Sequence, residues 1–147
     1  MKAVILAGGL GTRLHPLTVD QPKPMIPVAN RPLMSYIVEL LAQHGFNDLR
    51  VLLYHQPEVI KKYFKDGSDY NVRISYFEAS QDFGTAGAVR FACQGEKEPV
   101  LVVSADLLTD FDLTSIVNFH KQKKSLATLT LVQVKNPLPY GIVVTGK

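Results

Sequence analysis

The 147-residue sequence has one cysteine, no tryptophan and no strong excess of either charge: sixteen Lys and Arg stand against thirteen Asp and Glu, a formal +3. The lone Cys93, in an apolar segment, excludes an internal disulfide and a thiolate metal cage, and reads as a small buried side chain. No apolar run approaches the roughly 20 residues of a membrane helix, and the start Met1 to Gly9 turns to glycine too soon for a secretory signal. The expectation is a soluble, cytoplasmic protein without a membrane partner. The basic residues are dispersed, and their one cluster, Lys121, Lys123 and Lys124, closes a predicted helix where cations complement the dipole, so no nucleic-acid partner is implied. His15, His44, His55 and His120 show no metal-ligand spacing. With 46% hydrophobic and 20% charged residues, a disordered or collagen-like chain is excluded, and the length suits one domain over residues 1–147.

What is present is alternation. Met1 to Ala7 is an almost unbroken apolar run, the pattern of a strand covered on both faces. Asn30-Arg31-Pro32 opens a predicted helix with Leu33, Ile37, Leu40 and Leu41 on one face, ended by Gly45. Strands are predicted at 49–54 and 72–77, separated by a helix that begins at Pro57 and breaks at Asp66-Gly67. Thr85 to Cys93 reads as a short helix, Val100 to Val103 as a central strand, and Asp112 as the cap of a helix using Leu113, Ile116 and Val117. Two more strands are predicted at 127–134 and 141–145, after which the sequence stops inside a strand, as a cut through a longer fold would. The order β-α-β-α-β-α-β-α-β-β implies an α/β fold: a Rossmann-like open, mostly parallel sheet with helices on both faces. Its ligand crevice lies beyond the carboxyl ends of the strands.

At that edge stands Ala7-Gly8-Gly9-Leu10-Gly11-Thr12-Arg13-Leu14. Three glycines followed by Arg exceed what one turn needs and let backbone N–H groups approach phosphate oxygens. The loop lacks the Lys and hydroxyl pair of G-x-x-x-x-G-K-[ST], and Leu14 stands where G-x-G-x-x-G needs its third glycine. A P-loop NTPase and a dinucleotide-dependent oxidoreductase are therefore disfavoured. Arg13 and Lys23, the latter inside Gln21-Pro22-Lys23-Pro24-Met25-Ile26-Pro27, put two cations on loops near the crevice, which suits a triphosphate. Asp106 ends an apolar strand and, if that strand runs beside the first, reaches the same rim, where one carboxylate with water and phosphates makes a Mg²⁺ site.

These residues resemble the signature of sugar-phosphate nucleotidylyltransferases: Gly8-Gly9-Leu10-Gly11-Thr12-Arg13-Leu14-His15-Pro16-Leu17-Thr18, then Pro22-Lys23-Pro24. Asn30-Arg31-Pro32-Leu33, Phe83-Gly84-Thr85-Ala86-Gly87-Ala88, Ser104-Ala105-Asp106 and Tyr140-Gly141 follow in the family's order, and the likeness is greatest to the mannose-1-phosphate guanylyltransferase branch. The resemblance implies the nucleotide-diphospho-sugar transferase type of fold and a reaction in which a sugar-1-phosphate oxygen attacks the α-phosphorus of a nucleoside triphosphate. An NDP-sugar and pyrophosphate result, with Mg²⁺ and without a covalent intermediate. Arg13 and Lys23 would be the catalytic cations and Asp106 the metal ligand. Leu6, Ala7, Gly8, Gly9, Gly11, Thr12, Glu78 and Gly84 would bind nucleotide, and Tyr140 and Gly141 the sugar. Glu78 ends the third predicted strand where the family reads the base edge; a carboxylate only accepts hydrogen bonds, which suits the adjacent donors of guanine and hence GTP with mannose 1-phosphate. If Gln81 is the reader, the preference reverses toward a pyrimidine. The pattern departs at Ala105, where many relatives have Gly, and the family's later Glu-Lys-Pro segment and second metal-binding Asp have no counterpart in these residues. The resemblance leaves room for a homo-oligomer and for a regulatory, non-catalytic binding module of the same fold.

Overall fold

The computed structural model describes residues 1–81, 83–137, 139 and 141–144. Its contacts divide the chain into two units, Met1–Leu113 and Thr114–Lys147. In the first, β1 (Lys2–Leu6) lies parallel to β4 (Asp48–Leu53) on one side and β6 (Val100–Ser104) on the other. β5 (Arg73–Glu78) pairs with β4, giving a four-stranded parallel sheet in the order β5-β4-β1-β6. The helices α1 (Leu33–Gln43), α2 (Pro57–Phe64) and α3 (Gly84–Ala92) occupy the three crossovers.

Right-handed crossovers, the near-universal hand for parallel strands, send α1 and α2 to one face and α3 to the other, because the chain steps outward from β1 first through β4 and β5 and then returns to β6. The sequence suits both faces. Ala3, Ile5, Leu49, Val51 and Leu53 point one way and are buried. On the opposite face Val4 and Leu52 cluster with Ala92 of α3, and Leu6, Phe77, Ala88 and Phe91 pack around them. Each fully buried Leu or Ile on these strands contributes about 1.5–3 kcal/mol. Cys93, just after α3, is half-buried, and burial pushes its thiol up.

Three sequence expectations need correction. The loop before α1 forms a two-residue hairpin, β2 (Pro27–Val28) against β3 (Arg31–Pro32), turned by Ala29 and Asn30 at φ +47° and +65°. Two consecutive positive φ values are the hairpin geometry that Asn tolerates, so Asn30 serves a turn and the helix begins at Leu33. The run Val100–Val103 forms a strand at the edge of the described sheet, not at its centre, with Val102 39% exposed. An apolar run reports covered faces, whereas centrality depends on hydrogen-bonding neighbours at both edges.

The second unit holds nearly all of α4 (Leu113–Lys123), whose last turn carries His120, Lys121 and Lys123 as the dipole favours. Residues 125–137 and 141–144 form no strand, and Leu129, Leu131 and Val132 are exposed. Alternating apolar residues supply a face, but a strand also requires a backbone partner, and none is taken among the described residues. Thr145 lies outside them.

Candidate functional site

The strand order reverses between β1 and β6: the chain leaves β1 toward β4 and comes back on β1's other side. Loops after the carboxyl ends of two such neighbours diverge to opposite faces and leave a crevice between them. The glycine loop follows β1, and Ser104-Ala105-Asp106 closes β6, with Leu6 in register with Ser104. Sheet topology thus brings the two segments to one rim.

The loop is shaped by particular side chains. Ala7 N–H still bonds Leu52 O at 2.9 Å, and then the chain leaves the sheet. A Cβ at Gly8 would stand 3.1 Å from Cβ of Tyr54, so Gly8 lets the loop pass over β4's end. Gly11 has φ +69°, and a Cβ there would meet Thr18 Cγ2 at 2.9 Å and Lys23 Cβ at 3.2 Å. The buried Thr18 hydroxyl donates to Gly11 O at 2.9 Å and ties the returning chain to the bend. Gly9 differs, since a Cβ there would meet nothing within 4 Å. Among the described residues, the amides of Gly8 through Arg13 donate to no backbone carbonyl. Successive free N–H groups of this kind form an anion-binding concavity.

Lys23 begins a single 3₁₀ turn, Lys23–Met25, between the buried Pro22 and Pro24, closed by Met25 N–H to Pro22 O at 2.8 Å. The rigid turn delivers the Lys23 ammonium onto the Asp106 carboxylate as an ion pair, while the Ser104 hydroxyl donates to the other carboxylate oxygen. Burial alone would raise the Asp106 carboxyl, but the Lys23 ammonium and the Ser104 hydroxyl overcome it and hold the group below the ordinary carboxylate value. Arg13 is exposed, and among the described residues no ion pair engages it.

These groups line one cleft of about 690 Å³. Of the residues expected from the sequence, Leu6, Ala7, Gly8, Gly9, Gly11, Thr12, Arg13, Lys23, Gly84 and Asp106 all face it. Glu78 does not. It sits at the end of β5 with its exposed carboxylate on Lys61, which also contacts Glu58 at 3.1 Å, and the Glu78 and Glu58 carboxylates raise the Lys61 ammonium pKa. Gln81, three residues later, lines the cleft in its place. Gly141 is exposed and belongs to the second unit, and Tyr140 lies outside the described residues. Tyr54, Phe83, Thr85 and Ser104 line the cleft without having been expected. Tyr54 was available from register: Leu52 pairs with Leu6, so a residue two beyond it stands at the same rim as Gly8.

Sequence and structure comparisons point one way. The profile of the family described as nucleotidyl transferase matches residues 2–147. A UTP–glucose-1-phosphate uridylyltransferase of Synechocystis is 39% identical over 159 residues, covering 99% of this chain and 41% of that protein. A mannose-1-phosphate guanyltransferase of Aspergillus fumigatus is 37% identical over 151 residues, covering 98% and 41%. The crystal structure of HddC from Yersinia pseudotuberculosis with GMP-PN superposes with a TM-score of 0.73 at 27% identity, covering 81% of this chain and 53% of that one. The chain thus spans 41% of the length of these two curated relatives.

Proposed function

Because the chain belongs to the nucleotidyl transferase family, we propose that its cleft binds a nucleoside triphosphate and serves transfer of the nucleotidyl group to a sugar 1-phosphate, with release of pyrophosphate. One observation carries this reading: six contiguous backbone amides without backbone acceptors, the Arg13 guanidinium and the Lys23 ammonium line the same cleft. Such a set has the charge and donor count of a polyphosphate site.

In-line displacement at the α-phosphorus spreads negative charge over phosphoryl oxygens, so fixed cations and amides aimed at those oxygens lower the barrier without a nucleophilic side chain. Arg13 can donate two parallel hydrogen bonds to phosphate, and Lys23 contributes a compact charge. Asp106 offers a hard carboxylate oxygen on the cleft wall, and no group of three acidic, His or Cys side chains gathers among the described residues. A single carboxylate completed by phosphate oxygens and water suits Mg²⁺, so Asp106 is the residue that would hold it. When bound, the ion would neutralise charge on the phosphate oxygens.

The base reading turns on which side chain meets the Watson–Crick edge. A guanine preference rested on Glu78, which Lys61 engages outside the cleft. Gln81 both donates and accepts, matching the imide edge of uracil or thymine, so the favoured donor is UTP or dTTP. The Synechocystis relative, named for UTP and glucose 1-phosphate, agrees. A guanylyl reading with mannose 1-phosphate is second, supported by the Aspergillus relative and the HddC complex with GMP-PN.

The test is calorimetric titration of the chain with GTP, UTP and dTTP in Mg²⁺, followed by pyrophosphate release with glucose 1-phosphate or mannose 1-phosphate. Tighter binding of a pyrimidine nucleotide is expected. GTP binding tighter would reverse the base reading, and no binding of any triphosphate would overturn the function.

A further inference from the structure

A second wall of the cleft is made by Gln81, Phe83 and the first residues of α3, Gly84 and Thr85, so the position of α3 helps set it. Its sheet-facing residues include the small Ala88 and Ala92 and the large Phe91.

A polar hold on α3 stands at its far end. Arg50, in the middle of β4, is a charged residue flanked by Val4 and Leu52 on the sheet face that α3 covers, and its side chain is only 16% exposed. One guanidinium nitrogen donates to Ala92 O, the last carbonyl of α3, at 2.7 Å. The other donates to Glu96, in the turn just after the helix, at 2.9 Å. Lys2, at the start of β1, donates to the same Glu96 oxygen at 2.6 Å. A cation bonded to the final helix carbonyl is also favoured by the dipole. Two strands thus grip the carboxyl end of α3 through one Arg, one Lys and one Glu.

The same guanidinium begins a continuous stack of rings that ends in the cleft. It lies over Phe77 at 5.6 Å. Phe77 meets Phe91 edge-on at 6.5 Å, and Phe91 meets Phe83 at 5.6 Å. Phe83 lines the cleft beside Gly84, and its Cβ rests where a Cβ on Gly87 would come within 2.9 Å. Arg50 itself does not line the cleft.

We propose that Arg50 is a positioning residue for nucleotide binding: by anchoring the carboxyl end of α3 and the Phe77–Phe91–Phe83 stack, it sets where Gln81, Phe83, Gly84 and Thr85 meet the nucleoside. This rests on the nucleotide reading given above. The phosphate half of the cleft is built on β1, β6 and the 3₁₀ turn at Lys23, and its Lys23–Asp106–Ser104 bonds involve no residue of α3, so loss of Arg50 should fall on the two halves unequally.

The experiment compares the chain with its Arg50→Met, Arg50→Lys and Phe91→Leu variants. Each is titrated with Mg²⁺ and the tightest-binding triphosphate, and separately with Mg²⁺ and pyrophosphate, which probes the phosphate half alone. Arg50→Met is expected to weaken the triphosphate about tenfold while pyrophosphate affinity changes less than about twofold. Arg50→Lys, keeping the charge, recovers most of the loss. Phe91→Leu, which breaks the stack with Arg50 intact, shows the same selective effect and serves if Arg50→Met does not fold. Equal weakening of both ligands in Phe91→Leu and Arg50→Lys would mean a merely structural role, and unchanged triphosphate binding in a folded Arg50→Met would mean no role; either overturns the inference. A wild-type chain binding neither ligand would instead overturn the nucleotide reading, and this inference with it.

Discussion

The two walls of the cleft are made differently. On the phosphate wall the expected residues apart from the exposed Arg13 are held by others: Gly11 is enclosed by Thr18 and Lys23, Lys23 is fixed between two buried prolines and paired with Asp106, and Asp106 also accepts from Ser104. On the opposite wall Gln81, Phe83, Gly84 and Thr85 are exposed, and their placement derives from contacts at the other end of α3. The first wall is set before a ligand arrives, as electrostatic stabilisation requires. The second leaves polar atoms free for whatever base enters, as selectivity requires.

The largest expected effect tests how tightly the first wall is packed. Gly11→Ala places a side chain at positive φ and against Thr18 and Lys23, and should cost about 2–4 kcal/mol of stability. Gly9→Ala, with open space at its Cβ, should leave stability within about 0.5 kcal/mol yet weaken pyrophosphate binding, because only the ligand's side is crowded. Thermal or urea unfolding beside pyrophosphate titration of both variants checks the pair. If the two glycines behave alike, the division into packed and ligand-facing positions breaks.

Next in size is Lys23→Met. It removes a charge-assisted contact to phosphate and leaves Asp106 without its cation, so triphosphate affinity should fall by about 1.5–3 kcal/mol, read by calorimetry. Gln81→Ala on the other wall should leave pyrophosphate binding unchanged. It should shrink the difference between UTP and GTP affinity by about 1 kcal/mol, the scale of one neutral hydrogen bond. A Gln81 variant that lost pyrophosphate affinity would show that the walls are not separable.

The phosphate wall was the more legible of the two in sequence, and for a physical reason. Its chemistry is local: a glycine bend, two cations and a strand-end carboxylate each declare themselves within a few residues, and parallel pairing of the first and fourth major strands is enough to assemble them. The base wall is not local. Glu78 ends β5 and Gln81 stands three residues on, and only the folded positions decide that one meets Lys61 in an ion pair and the other lines the cleft. Arg50 gave no signal either, since a single Arg in an apolar strand reads as an edge or an exception until Ala92 O and Glu96 are seen beside it. The strand expected at 127–134 failed likewise, because alternation specifies a face and not a partner.

The smallest expected effect is on acid stability and again separates the walls. Hydrogen bonding from Lys2, set against the cost of burial and aided by the Lys2 and Arg50 charges, holds the Glu96 carboxyl below the ordinary value of 4.5. A folded-state pKa depressed in this way contributes stability that is fully present above pH 4.5 and is lost as pH falls through the lowered value. Because Glu96 braces α3 and reaches β1 only through Lys2, at the end away from the glycine loop, acidification through that range should loosen α3 ahead of residues 7–14. Amide hydrogen exchange measured at stepwise lower pH would show faster exchange in α3 first. Glu96→Gln should abolish the pH dependence of that early step by making exchange in α3 fast throughout. If α3 and the glycine loop loosen together at every pH, the brace does not act on one wall alone, and the contrast between the walls is one of exposure and not of anchoring.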